Sequence, residues 1–195
     1  EDTAVYIPVR TYGILNIAVN GFKDGLAYQS GNKTVPYYQK VSSLDEDFKS
    51  VPAPFKGDLQ ISQESGFSSA ALHTNHNYDD QREYITVIET PIEIFSDSKL
   101  SYRDVALVEP GEPDEYYPSE LMWDYVTVEG SANGSDWDIV VEPYDCRANP
   151  VWQSAYDSSL PGDSSMFVNH DIDLTDHYST GKLIYLRFRL HADAA

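Results

Sequence analysis

From Leu183 to His191 the chain reads Leu, Ile, Tyr, Leu, Arg, Phe, Arg, Leu, His. Ile184, Leu186, Phe188 and Leu190 take alternate positions, with Tyr185, Arg187, Arg189 and His191 between them. Successive side chains of a strand point to opposite faces, so this order specifies a strand with one buried and one polar face. The pattern recurs at 123–130 (WDYVTVEG) and 136–142 (DWDIVVE). Between them lies Ser131-Ala132-Asn133-Gly134-Ser135, where the Asn-Gly pair supplies the positive φ angles of a tight hairpin. Further strands are predicted at 58–63 (DLQISQ), 84–89 (YITVIE), 92–96 (IEIFS), 100–108 (LSYRDVALV) and 166–174 (MFVNHDIDL). Pro91 separates two of them, since it cannot donate to a ladder. No convincing amphipathic helix appears, and the best helical candidate is short, around Asn149–Tyr156, with Pro150 placed to start a turn. Many short strands with Gly, Pro, Asn and Asp between them predict an all-β, antiparallel sandwich. No internal repeat is evident.

A boundary is expected near residue 44. Before it, 4–9 (AVYIPV) and 13–20 (GILNIAVN) read as strands, followed by a polar stretch from Asn20 to Lys33. After it comes the acidic run Asp45-Glu46-Asp47. Residues 1–44 are too few for an independent core. They are either the end of a preceding domain or strands added to the main fold.

Charge narrows the function. Among 195 residues, 32 are acidic and 13 basic, for a net charge of −19. Phosphate neutralisation needs Lys and Arg, so nucleic acid and anionic lipid are poor partners. No run approaches the roughly 20 apolar residues of a membrane helix, so no membrane insertion is expected. The single cysteine, Cys146, excludes an internal disulfide, and its acidic setting (Tyr-Asp-Cys-Arg) disfavours a thiolate. No G-x-S-x-G, phosphate loop or dinucleotide fingerprint is present. His73 and His76 stand three apart in a strand-and-loop segment and read as turn and packing residues, while His170, His177 and His191 are scattered. The sequons at Asn32 and Asn133 carry no argument by themselves.

Several segments in order, GFSSAALHTNHNY (66–78), LSYRDVALVEPGEP (100–113), WDYVTVEGSANGSDW (123–137), YDCRANPVWQSAYDSS (144–159) and IYLRFRLHAD (184–193), resemble a jelly-roll module. That module recurs in secreted and cell-surface proteins of Bacteroidetes-type bacteria and is similar, more distantly, to MAM-like and adhesin-type β-sandwiches. The resemblance covers 45–195. It implies an antiparallel jelly-roll β-sandwich in a longer secreted or surface protein, to which residues 1–44 add a short N-terminal β segment. The family continues past its RFRLHAD-type strand into a Gly/Trp-rich turn and a last strand, so the module here is expected to lack that strand, which is disordered, cleaved or supplied by a partner. The resemblance also implies a structural Ca²⁺, and the matching positions are Asp47, Glu109, Asp124 and Asp193. Calcium takes six to eight oxygen ligands, which carboxylates at strand ends can begin to supply.

Aromatic residues suggest a second site. Sugar rings stack on exposed Trp and Tyr while neighbouring polar groups take the hydroxyls. Trp152, Tyr156, Tyr116 and Tyr117 fall in predicted loops and are the ligand-binding candidates; Trp123 and Trp137 are assigned to strands and the core. The sequence thus predicts a non-catalytic adhesion, attachment or spacer module, with glycan or surface-protein partners and neighbouring domains. The alternatives are a carbohydrate-binding module of a polysaccharide-degrading enzyme, and a jelly-roll lyase or hydrolase.

Overall fold

The structure, a computed structural model, describes residues 13–23, 26–37, 40–49 and 54–194. Contacts divide the chain into two units, Glu1–Lys40 and Val41–Ala195. The first unit is an antiparallel ribbon of β1 (Gly13–Lys23) and β2 (Leu26–Tyr37), in register from Gly13 opposite Tyr37 to Lys23 opposite Leu26, with one shift after Val19. The expected polar stretch Asn20–Lys33 is therefore mostly strand. The ladder pairs backbone N–H and C=O groups, which every non-proline residue carries, so composition does not reveal β2. The strand expected at 4–9 lies outside the described residues.

The second unit is mostly antiparallel β, with one short helix. Its main sheet has the order β10-β9-β12-β6-β3, built from β10 (Asp138–Tyr144), β9 (Tyr125–Ser131), β12 (Leu183–Ala192), β6 (Arg82–Ile88) and β3 (Phe55–Gly57). A two-residue strand, β7 (Ile92–Glu93), pairs with the start of β12. The segment with the clearest alternation thus lies at the centre of the sheet. Ile184, Leu186 and Leu190 are buried, as period 2 requires, and each fully buried side chain of this size contributes about 1.5–3 kcal/mol. Gly134 at φ +73° makes the β9–β10 turn, where an Asn-Gly pair was expected to do so. Pro91 separates β6 from β7.

A second pairing joins β8 (Lys99–Asp104) to β11 (Val168–Asp173), and a third joins β4 (Gln60–Ser62) to β5 (Ala71–His73). Leu100 and Tyr102 of β8 and Ile172 of β11 pack against the core formed by Ile88, Val128, Val140, Ile184 and Leu186 of the main sheet. The strand expected at 100–108 ends at Asp104. Residues 105–108 keep their inward Ala106 and Val108, both buried, without a ladder partner. Alternation reports burial, and here burial outlasts the pairing.

Helix α1 (Pro150–Asp157) forms where expected. Asn149 accepts from the Val151 N–H at 2.8 Å, and Pro150 occupies the first turn, where its missing N–H costs nothing. Trp152 and Ala155, three residues apart, are its buried face.

A candidate cation site at one end of the main sheet

The site follows from antiparallel pairing. β9 begins at Tyr125 and β12 ends at Ala192, and His191 pairs with Tyr125. The residue before β9, Asp124, and the residue after β12, Asp193, therefore meet at the same end of the sheet. The Asp193 N–H donates to Asp124 Oδ1 at 2.9 Å. Tyr78 brings the third member. Its hydroxyl donates to Asp124 Oδ2 at 2.5 Å and accepts from the Glu109 N–H at 3.1 Å. One carboxylate oxygen from each of Glu109, Asp124 and Asp193 then lies within 4.8 Å of the others. Asp124 is buried, while Glu109 and Asp193 are half-buried.

The electrostatics are unfavourable for three bare carboxylates. Burial, and then the charges of Asp124, Asp193 and Asp80, push Glu109 above the usual carboxylate range. Burial is also the main cause that raises Asp124, with Asp193 adding to it against the hydrogen bonds from Tyr78 and the Asp193 backbone. Among the described residues, none of the three forms an ion pair with Lys or Arg. The donor set is all oxygen, which suits a hard cation such as Ca²⁺ rather than a thiolate- or imidazole-seeking metal. Each Asp124 oxygen accepts one hydrogen bond and keeps a second lone pair for a cation.

Asp47 does not join this group. Its exposed carboxylate takes the Lys49 ammonium at 2.9 Å and the Lys49 N–H at 3.1 Å. A neighbour two residues away satisfies it locally, and proximity in sequence wins over a distant site.

The aromatic candidates also need correction. Trp152 is 1% exposed and its Nε1–H donates to the Met166 carbonyl at 2.7 Å, so it is core and presents no stacking surface. Tyr156 is half-buried against the same cluster of Ala106, Cys146 and Trp152. Tyr116 and Tyr117 are exposed, on the segment between β8 and β9. Trp123 and Trp137 lie just outside β9 and β10 and are half-buried, not core. The Arg187 guanidinium sits 4.2 Å from the centre of the Trp137 ring.

Two other polar clusters hold parts of the fold together. Ser62 Oγ lies 2.5 Å from Glu64 and 2.6 Å from His73 Nε2, and His73 Nδ1 lies 2.6 Å from the Thr74 carbonyl. Both ring nitrogens of His73 are thus engaged, and its ring stacks on His76. Between the β8–β11 pair and the main sheet, Asp104 takes the Tyr144 hydroxyl at 2.5 Å and His170 Nε2 at 2.9 Å. Burial raises Asp104 despite both partners. Cys146 is fully buried, and desolvation pushes its thiol up to about 12, which leaves no thiolate for chemistry.

No protein-family model, curated protein or solved structure matches the chain. The functional reading accordingly rests on these residues. The sequence yielded the identities of the three carboxylates through the resemblance. Their supporting residue, Tyr78, went unremarked, because its role depends on two contacts 31 and 46 positions away.

Proposed function

We propose that Val41–Ala195 is a calcium-stabilised jelly-roll β-sandwich module that serves attachment, without catalysis, in a secreted or cell-surface protein. The observation that carries this is the meeting of Glu109, Asp124 and Asp193 within 4.8 Å, with no Lys or Arg ion pair to them among the described residues. Ca²⁺ there would replace mutual repulsion by coordination and would tie the end of β12 to the start of β9 and to the segment after β8. The packing of β8 and β11 on the main sheet supports a sandwich, and a net charge of −19 suits a soluble extracellular surface. Extracellular calcium modules bind at about 10⁻⁴–10⁻³ M.

The test is a thermal melt with calcium and with chelator. At 10 mM Ca²⁺ a site in that range stabilises the fold by about 1.4–2.7 kcal/mol. For a unit of this size the melting temperature rises by roughly 3–10 °C. Asp193→Asn removes one charge but no side-chain hydrogen bond. It is expected to melt at or slightly above wild type in chelator and to lose the calcium response. The pH dependence has a definite sign. Glu109 and Asp124 hold protons more tightly in the folded state than carboxylates usually do, so without calcium the fold gains stability as pH falls through their raised range and loses it above. Calcium competes with those protons, so its increment is full at pH 7.5 and vanishes as pH falls through the same range. A melt indifferent to calcium at pH 7.5 refutes the reading.

A further inference from the structure

The face of the main sheet opposite the core carries none of the three carboxylates. Its side chains line up in rungs set by the register: Glu129, Arg187 and Val87; Thr127, Arg189 and Ile85; Tyr125, His191 and Glu83. Arg187 Nε donates to Glu129 Oε2 at 2.5 Å and Arg189 Nη1 to Glu129 Oε1 at 3.1 Å. Arg189 also holds Glu83 through two bonds of 2.7 and 2.9 Å, and His191 Nδ1 lies 2.6 Å from the same carboxylate. Aromatic rings flank this ladder on two sides. Trp137 lies against Arg187, while Tyr125 stacks on His191 at 4.8 Å and meets Tyr117 at 5.7 Å.

We propose that this face, from Trp137 across Arg187 and Arg189 to Glu83, His191 and Tyr117, binds a neutral polysaccharide. The inference rests on the attachment reading above and names the partner. Three features select that partner. The ladder pairs two guanidiniums with two carboxylates, so it is close to neutral within a chain of net charge −19, and attracts neither a polyanion nor a cation. Its fixed donors and acceptors match vicinal hydroxyls, which donate to carboxylate and accept from guanidinium, while the flanking rings take the apolar faces of sugar rings. The centre of the face is charged, whereas the centres of protein–protein interfaces are depleted in charge. Glu83 is 40% exposed, His191 31%, Arg189 22% and Arg187 18%, while Glu129 is buried and holds the two guanidiniums in place, and Thr127 and Tyr125 are buried as well. Strands carry most of the contacts, so they are held rigidly before a ligand arrives.

The full chain is run in affinity gels containing xylan, mixed-linkage β-glucan, galactomannan, starch or polygalacturonate. The expected result is retardation by at least one neutral polymer, at least tenfold weaker binding in Trp137→Ala, weaker binding in Tyr117→Ala, and melting temperatures within about 2 °C of wild type in both. No retardation in any gel, retardation by polygalacturonate alone, or binding unchanged in both variants overturns the proposal. The readings fail separately. A calcium-dependent melt with no retardation removes the polysaccharide and leaves the calcium module. Retardation accompanied by release of reducing ends keeps the surface and removes the non-catalytic reading.

Discussion

Trp152→Ala is expected to destabilise the second unit by about 3–5 kcal/mol, the usual cost of removing a fully buried indole. For a unit of this size that lowers the melting temperature by roughly 6–20 °C. The indole is 1% exposed and packs with Ala106 and Cys146, and Tyr144 stacks on it with ring centres 6.3 Å apart. It is the largest of the two buried side chains through which α1 meets the rest of the unit. Truncation leaves a cavity and strands the Met166 carbonyl without its 2.7 Å donor. Trp152→Phe restores most of the volume but not the hydrogen bond, and should recover more than half of the loss. Thermal melts followed by circular dichroism measure both. The variants also separate two meanings of a binding defect. Any loss of polysaccharide binding in Trp152→Ala should disappear when the gel is run well below its melting temperature, whereas the loss in Trp137→Ala should persist. A melt unchanged by Trp152→Ala would place the indole outside the core.

How much of this was legible in the sequence depends on how local each signal was. The alternation of Ile184, Leu186 and Leu190 needed no partner to be read, and it marks the central strand. The Asn133-Gly134 turn and the Asn149-Pro150 helix start are likewise written in adjacent residues. Trp152 was misplaced although its helix was expected. Its spacing from Ala155 marks an inward face, and burial on that face decides what the indole does. The Glu129–Arg187 contact spans 58 positions and depends on the register of β9 and β12, so the polar face of β12 was visible but its partners were not. Asp47 failed as a ligand because Lys49 is closer than any distant carboxylate. The three remaining carboxylates were identified by resemblance, and only antiparallel pairing explains why they meet.

Arg147→Ala is expected to cost about 3–5 kcal/mol and to disturb the candidate cation site at a distance. Asp145, 2% exposed, is held by Arg147 through Nη2 at 2.6 Å and Nε at 3.0 Å. The same guanidinium donates to the Glu112 carbonyl at 2.5 Å and the Glu115 carbonyl at 2.8 Å. It therefore clamps the segment between β8 and β9, whose two ends carry Glu109 and Asp124. Removing it leaves a buried carboxylate unpaired and frees two carbonyls. Lysine would restore the charge without the planar fork, so Arg147→Lys should recover only part of the stability. Removing Asp145 as well should return part of the loss, because the unpaired buried charge goes with it. Chymotrypsin should cut the Arg147→Ala protein faster after Tyr116, the bond after Tyr117 being closed to it by Pro118, and calcium should bind about tenfold more weakly, equivalent to about 1.4 kcal/mol. In the proposed calcium module the two effects are coupled, because calcium would grip the segment at Glu109 and Asp124 and Arg147 grips it between them. Saturating calcium should accordingly slow the cleavage in Arg147→Ala more than in Arg147→Ala carrying Asp193→Asn. Equal cleavage in the two would show that the clamp and the carboxylates act independently.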